Sequence, residues 1–167
     1  MSRLILIRHA ISEDNIKGNL SGHIDSKLSD IGKSQVDKLN KFLEKEKIDY
    51  IYTTTSIRTK ETIGYIANTR GIDIVEKEGF KEINFGDFEG MNFNYIQKNY
   101  PNEFEKMIKE GNRYKYPNGE SLIDSYERVV FELSDIIKKH KDDTILICSH
   151  AGSIRNIISY LIGKTYE

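Results

Sequence analysis

Two short apolar runs near the opposite ends of the chain limit its fold more than any other feature. They are Leu4-Ile5-Leu6-Ile7 and Thr144-Ile145-Leu146-Ile147-Cys148. Each has the length and composition of a buried β-strand. Each then runs into a histidine: Arg8-His9-Ala10 after the first, Ser149-His150-Ala151-Gly152 after the second. A buried strand has no packing use for an arginine followed by a histidine. At the carboxyl end of a strand in an open α/β sheet, by contrast, side chains face the crevice where ligands bind. There the pair reads as a site for an anion, with a titratable nitrogen beside a fixed positive charge. The plainer alternative is a strand running out into solvated loop.

Between the two runs the chain alternates strand and helix signals. A polar loop is expected over Ile11 to Lys27. Ser29 then caps a helix to about Lys45, with Ile31, Val36, Leu39, Phe42 and Leu43 as its apolar stripe. Asp49 to Tyr52 reads as a strand, and Ser56 caps a helix from Ile57 to Arg70 that stops at Gly71. Ile72 to Val75 is a third strand, and Glu76 to Gly90 is irregular. Two helical pieces broken at Pro101 follow, then the loop Tyr116 to Ser121 and a helix over Leu122 to His140. After the strand ending at Ser149, a last helix covers Ser153 to Ile162. Strands separated by helices of this length imply βαβ units and a largely parallel sheet.

Composition narrows the function classes. The 167 residues carry 25 Lys and Arg against 26 Asp and Glu, a net charge of −1. Such a balance offers no general attraction to nucleic acid or an anionic membrane, so neither is expected as a partner. No apolar run approaches the roughly 20 residues of a membrane span, and Leu4 to Ile7 is too short for a signal-peptide core. A cytoplasmic location is expected. The one cysteine, Cys148, excludes an internal disulfide and reads as a reduced core thiol.

Of four histidines, two end the clearest strands. If those strands lie parallel in the sheet centre, His9 and His150 meet in one crevice. His140 reads as a solvated helix end and His23 as a solvent-facing loop residue. Arg58 falls in the first turn of the helix after Ser56, where free N–H groups already favour an anion and a guanidinium fork suits phosphate oxygens. On its own it also reads as a surface residue. Glu82, in the stretch Lys81 to Gly90 with two phenylalanines, is either an ordinary loop carboxylate or a general acid whose pKa is raised by packing against aromatics. Gly32-Lys33-Ser34 resembles the end of a nucleotide-binding P-loop, but position 27 is Lys and the segment lies inside a helix. No His and Asp spacing suits a metal site, so no metal is expected.

Five fragments then occur in one order: Arg8-His9 with Asn15, Ser56-x-Arg58-x-x-x-Thr62, Glu82-x-x-Phe85-Gly86-x-x-Glu89-Gly90, Pro117-x-Gly119-Glu120-Ser121, and Ser149-His150-x-Gly152. Together they resemble the histidine phosphatase superfamily, also called phosphoglycerate mutase-like, from Arg3 to Gly163. The resemblance implies a three-layer α/β/α fold around a mostly parallel sheet. It implies one domain over residues 1–167, with a small cap segment around residues 92–116. It makes His9 the nucleophile that becomes phosphohistidine and Glu82 the proton donor. Arg8, Arg58 and His150 would surround the phosphoryl group, Asn15 would contact it, and the Ser21-Gly22 backbone would approach substrate.

The implied activity is a metal-independent, cofactor-free phosphatase acting on a small phosphorylated metabolite. Ala10 and Ala151 stand where the family often has glycine, a change tolerated only at negative φ. Only 26 residues, Met91 to Tyr116, separate Gly90 from Pro117. Mutases of the family carry a longer insertion there to exclude water, so hydrolysis is favoured over phosphoglycerate mutase activity. Small members include α-ribazole-5′-phosphate phosphatases, which makes that ester the specific substrate expected. The rival of another class is an inactive phosphate-binding regulatory module. The chain also stops at Glu167, where family members usually continue into another strand.

Overall fold

The first and last apolar runs lie side by side. In the computed structural model, which describes residues 2–165, β1 (Arg3–Arg8) pairs in parallel with β4 (Thr144–Ser149), from Arg3 opposite Thr144 to Arg8 opposite Ser149. β2 (Tyr50–Thr53) pairs with the other edge of β4, and β3 (Ile74–Glu76) pairs with β2. The resulting order is β1-β4-β2-β3, all parallel. Glu167 lies outside the described residues.

Both faces of the sheet are apolar because alternate residues serve opposite helices. Leu146 and Cys148 of β4, with Ile7 and Ile51, pack beneath α2 (Asp30–Leu43) and α3 (Ile57–Arg70). Ile145 and Ile147, with Tyr52, pack against Val129, Leu133 and Ile136 of α6 (Leu122–Lys139) and Ile157 of α7 (Ala151–Leu161). This is the three-layer α/β/α arrangement. Burial raises the Cys148 thiol pKa, so it remains a protonated core group. Among the described residues no helix is long and apolar enough to cross a membrane.

Of the expected caps, Ser29 and Gly71 act as read, whereas Ser56 stands at the N-cap of α3 but its hydroxyl makes no capping bond; Ser121, read only as loop, is a further cap. Ser29 Oγ accepts from the Gly32 N–H, Ser121 Oγ accepts from the Asp124 N–H, and α3 ends at Gly71 with φ of 61°. Pro101 is the first residue of α5 (Pro101–Glu110), which follows α4 (Phe93–Asn99). Neither alanine that replaces a family glycine has positive φ; among the described residues only Asn118 and Asp142 do so outside glycine.

Four expectations need correction. The stretch Ile11 to Lys27 is not all loop: α1 (Glu13–Lys17) is closed by a reciprocal capping box between Ser12 and Asn15. Five residues were too few to leave an apolar stripe. The α2 stripe is narrower than read, because Ile31 and Phe42 are 57% and 78% exposed. The last helix begins two residues early, at Ala151, with His150 as its N-cap. His140 is buried, not solvated: its Nε2 lies 2.7 Å from the Tyr52 hydroxyl and its Nδ1 3.2 Å from Asp143. Its position in a lysine-rich run concealed partners that arrive from β2 and from the turn just before β4.

Candidate active site

The sheet order places the ends of β1, β4 and β2 next to one another. The ladder continues one residue past β1, since the His9 N–H donates to the Ser149 carbonyl at 2.9 Å. His9 and His150 therefore meet, with ring centroids 5.2 Å apart. Both are buried.

Each imidazole is held in one tautomer. His9 Nδ1 lies 2.8 Å from the Ala10 carbonyl oxygen, which can only accept, so Nδ1 carries the proton and Nε2 keeps its lone pair. Burial, opposed by that hydrogen bond and reinforced by Arg58 and Arg8, lowers the His9 pKa to about 4. The ring is neutral at pH 7. His150 Nδ1 lies 3.1 Å from Arg58 Nη2, which can only donate, so its proton is on Nε2. That N–H points to the Thr54 hydroxyl at 3.1 Å, and Thr54 bonds to Thr59, whose Oγ1 donates to the Ser56 carbonyl. Burial, then Arg58, pushes the His150 pKa well down. His150 is thus a neutral ring here, with both nitrogens already engaged.

Arg58 is 1% exposed. Its Nη1 donates to the Ile24 carbonyl, and its Nη2 donates to those of Ser21 and Gly22. Its Nε, and the Ser21 hydroxyl beside it, are buried without a hydrogen-bond partner. A buried unsatisfied donor costs on the order of 1–3 kcal/mol, and Asn40 Oδ1 and Ser56 Oγ are likewise buried without a partner. Arg8 is exposed, and among the described residues its guanidinium makes no hydrogen bond to the protein. It lines a cavity of about 430 Å³ with His9, Asn15, Gln35 and Thr62. Asn15 spends its Oδ1 on the Ser12 N–H of the capping box, which leaves its NH₂ group as the free end. Thr62 ties helix to strand, accepting from the Ala10 N–H and donating to the Arg58 carbonyl.

Glu82 is held by main-chain amides. Its Oε1 accepts from its neighbour Ile83 N–H, and its Oε2 accepts from the Gly152 N–H in the first turn of α7, each at 3.0 Å. A Cβ on Gly152 would fall 2.2 Å from Glu82 Oε1, so a larger residue there would push the carboxyl aside. Gly22 does not present a free amide: its N–H donates to Glu89. His23 is half-buried, not solvent-facing, with Nε2 3.1 Å from the Glu82 carbonyl.

Two structural residues escaped the sequence reading. The Glu89 carboxylate accepts the N–H groups of Gly22, His23, Ile24 and Phe85, joining the loop that grips Arg58 to the loop that carries Glu82. Arg128 pairs with Glu120 through Nε and Nη2, both at 2.8 Å, and donates to the Gly79 and Lys81 carbonyls. Glu89 had a signal in its motif but no assigned role; Arg128 had none. Among the described residues no three His, Cys, Asp or Glu side chains converge as a metal-binding cluster.

A parallel sheet between helix layers, with His9 and His150 meeting past its strand ends and Arg8 and Arg58 nearby, has the layout of an α/β protein with an anion site. The particular family follows from comparison: the chain belongs to the histidine phosphatase superfamily (branch 1), whose model matches residues 4–167. It is 33% identical over 163 residues to phosphoserine phosphatase 1 of Hydrogenobacter thermophilus, covering 98% of this chain and 77% of that protein. Bacillus stearothermophilus YhfR superposes with a TM-score of 0.90 at 28% identity, covering 99% of this chain and 82% of that one. The α-ribazole phosphatase of Shigella flexneri shares the fold with a TM-score of 0.92 at 24% identity, covering 98% and 81%. By family and by the relative at 33% identity the chain is a phosphoric monoester hydrolase.

Proposed function

We propose that this chain hydrolyses a small phosphomonoester through a phosphohistidine on His9. The observation that carries this is the Nδ1–H bond to the Ala10 carbonyl, which leaves a neutral Nε2 lone pair beside two arginines. A neutral nucleophile approaches a phosphate dianion without charge repulsion, and the arginines hold the equatorial oxygens. Arg58 Nε, Arg8, the Asn15 NH₂ and the Ser21 hydroxyl supply donors. His150 orients Arg58 and enters the phosphoryl shell by giving up one of its present partners.

In the first step Nε2 attacks phosphorus and the P–O ester bond breaks. Its electron pair stays on the alcohol oxygen, which takes the proton of the Glu82 carboxylic acid. In the second step water attacks phosphorus, its proton passes to the Glu82 carboxylate, and the P–N bond electrons return to His9. The products are the alcohol and inorganic phosphate.

For the substrate, the family resemblance favours α-ribazole-5′-phosphate, whereas the relative at 33% identity is named a phosphoserine phosphatase. Both are small esters of an alkyl alcohol. The test is phosphate release from a panel holding both, with 3-phosphoglycerate and a chelator present. Hydrolysis of at least one ester supports the reading. Mutase turnover exceeding hydrolysis, or binding without turnover, overturns it.

A further inference from the structure

Outside the phosphate-facing groups, two side chains from different elements close on one main-chain atom, the carbonyl oxygen of Glu82. His23 Nε2 reaches it at 3.1 Å and Arg128 Nη2 at 3.3 Å. Neither is free to wander. The His23 N–H is anchored by Glu89 Oε1, and Arg128 is locked by its two bonds to Glu120. The carbonyl only accepts, so His23 donates from Nε2.

The peptide that carries this oxygen also carries the Ile83 N–H, and a peptide unit is planar, with its oxygen and hydrogen on opposite sides. Holding the oxygen therefore aims the hydrogen. That N–H is the one that binds Glu82 Oε1 at 3.0 Å. We propose that His23 is a positioning residue for the Glu82 carboxyl: by fixing the 82–83 peptide with Arg128, it orients the group that protonates the leaving alcohol. This rests on the reading of Glu82 as proton donor. The proton moves from the Glu82 carboxyl oxygen to the alkoxide; His23 itself exchanges none.

Proton donation matters for a poor leaving group and little for a good one. The experiment therefore compares kcat/KM for an alkyl ester, β-glycerophosphate, with that for p-nitrophenyl phosphate in His23→Leu, His23→Gln and Glu82→Gln proteins. His23→Leu should lose about tenfold on the alkyl ester while staying within about twofold on the aryl ester, with Gln, whose amide can donate, regaining most of the loss. Glu82→Gln should show the same selectivity with a larger loss, about a hundredfold. A Glu82→Gln protein that loses equally on both esters removes the proton-donor reading, and this inference with it. If Glu82→Gln is selective but His23→Leu slows both esters alike, or neither, His23 does not position the carboxyl. Thermal melts of each variant separate a folding defect from either result, and a His23→Leu protein that does not fold passes the decision to His23→Gln against wild type, where equal loss on both esters overturns the proposal.

Discussion

The floor of the crevice and the segment over residues 92–116 are built on opposite plans. On the floor, His9, Arg58, Glu82 and His150 are tied to main-chain groups or to each other by bonds of 2.8–3.1 Å. In the other segment, α4 buries only Ile96, α5 buries nothing fully, and Phe93 and Tyr95 are exposed. It is held through one apolar cluster, in which Leu20, Ile83 and Phe88 meet Ile96, Tyr114 and Tyr116. The difference matches the two demands on such an enzyme. Phosphoryl transfer needs the same charges in the same places for every ester, whereas the alcohol varies. Floor changes should thus slow all substrates together, and changes over residues 92–116 should alter their ranking.

The largest expected effect is on the floor. His9→Ala should lower kcat by at least about a thousandfold on every ester, since no other group replaces the nucleophile. A loss confined to one substrate would break the comparison.

Next is the cost of keeping His9 neutral. With its pKa lowered to about 4, the folded state binds fewer protons than the unfolded chain between that value and the ordinary 6.5. Stability is therefore fully present above pH 6.5 and falls as pH drops to 4, by on the order of 3 kcal/mol from this group. Urea titrations at several pH values should show a steeper acid loss for wild type than for His9→Asn. Ring NMR should place the His9 midpoint below pH 5.

Glu89→Gln removes charge from the carboxylate that gathers four amides, and should cost about 1–3 kcal/mol of stability while lowering kcat on all esters. Denaturant midpoints and a substrate panel read both. Smallest in stability are Phe93→Ala and Tyr95→Ala, within about 0.5 kcal/mol, because both side chains are exposed. If this segment selects the alcohol, they should shift relative kcat/KM between two esters by about threefold or more, with no common loss.

What was legible in the sequence follows the same division. Strand ends and some helix ends are local signals, so Leu4–Ile7, Ser29 and the span Ile57–Arg70 could be read directly, and the two histidines met as the parallel arrangement required. Long-range partners leave no local trace. His140 looks solvated among lysines because Tyr52 lies far away in the chain, and Arg128 looks like any helix-surface arginine until Glu120 and the Gly79 and Lys81 carbonyls surround it. Glu82 shows both cases: its motif marked the residue, but not the helix N-terminus that holds its carboxylate.

The most direct test is to trap the intermediate. Wild-type protein mixed with a phosphate-labelled ester and quenched within a turnover should carry label that is acid-labile and alkali-stable, map to the peptide containing His9, and be absent from His9→Ala. Turnover with no label at any quench time, or label that persists in His9→Ala, would contradict a phosphohistidine at His9.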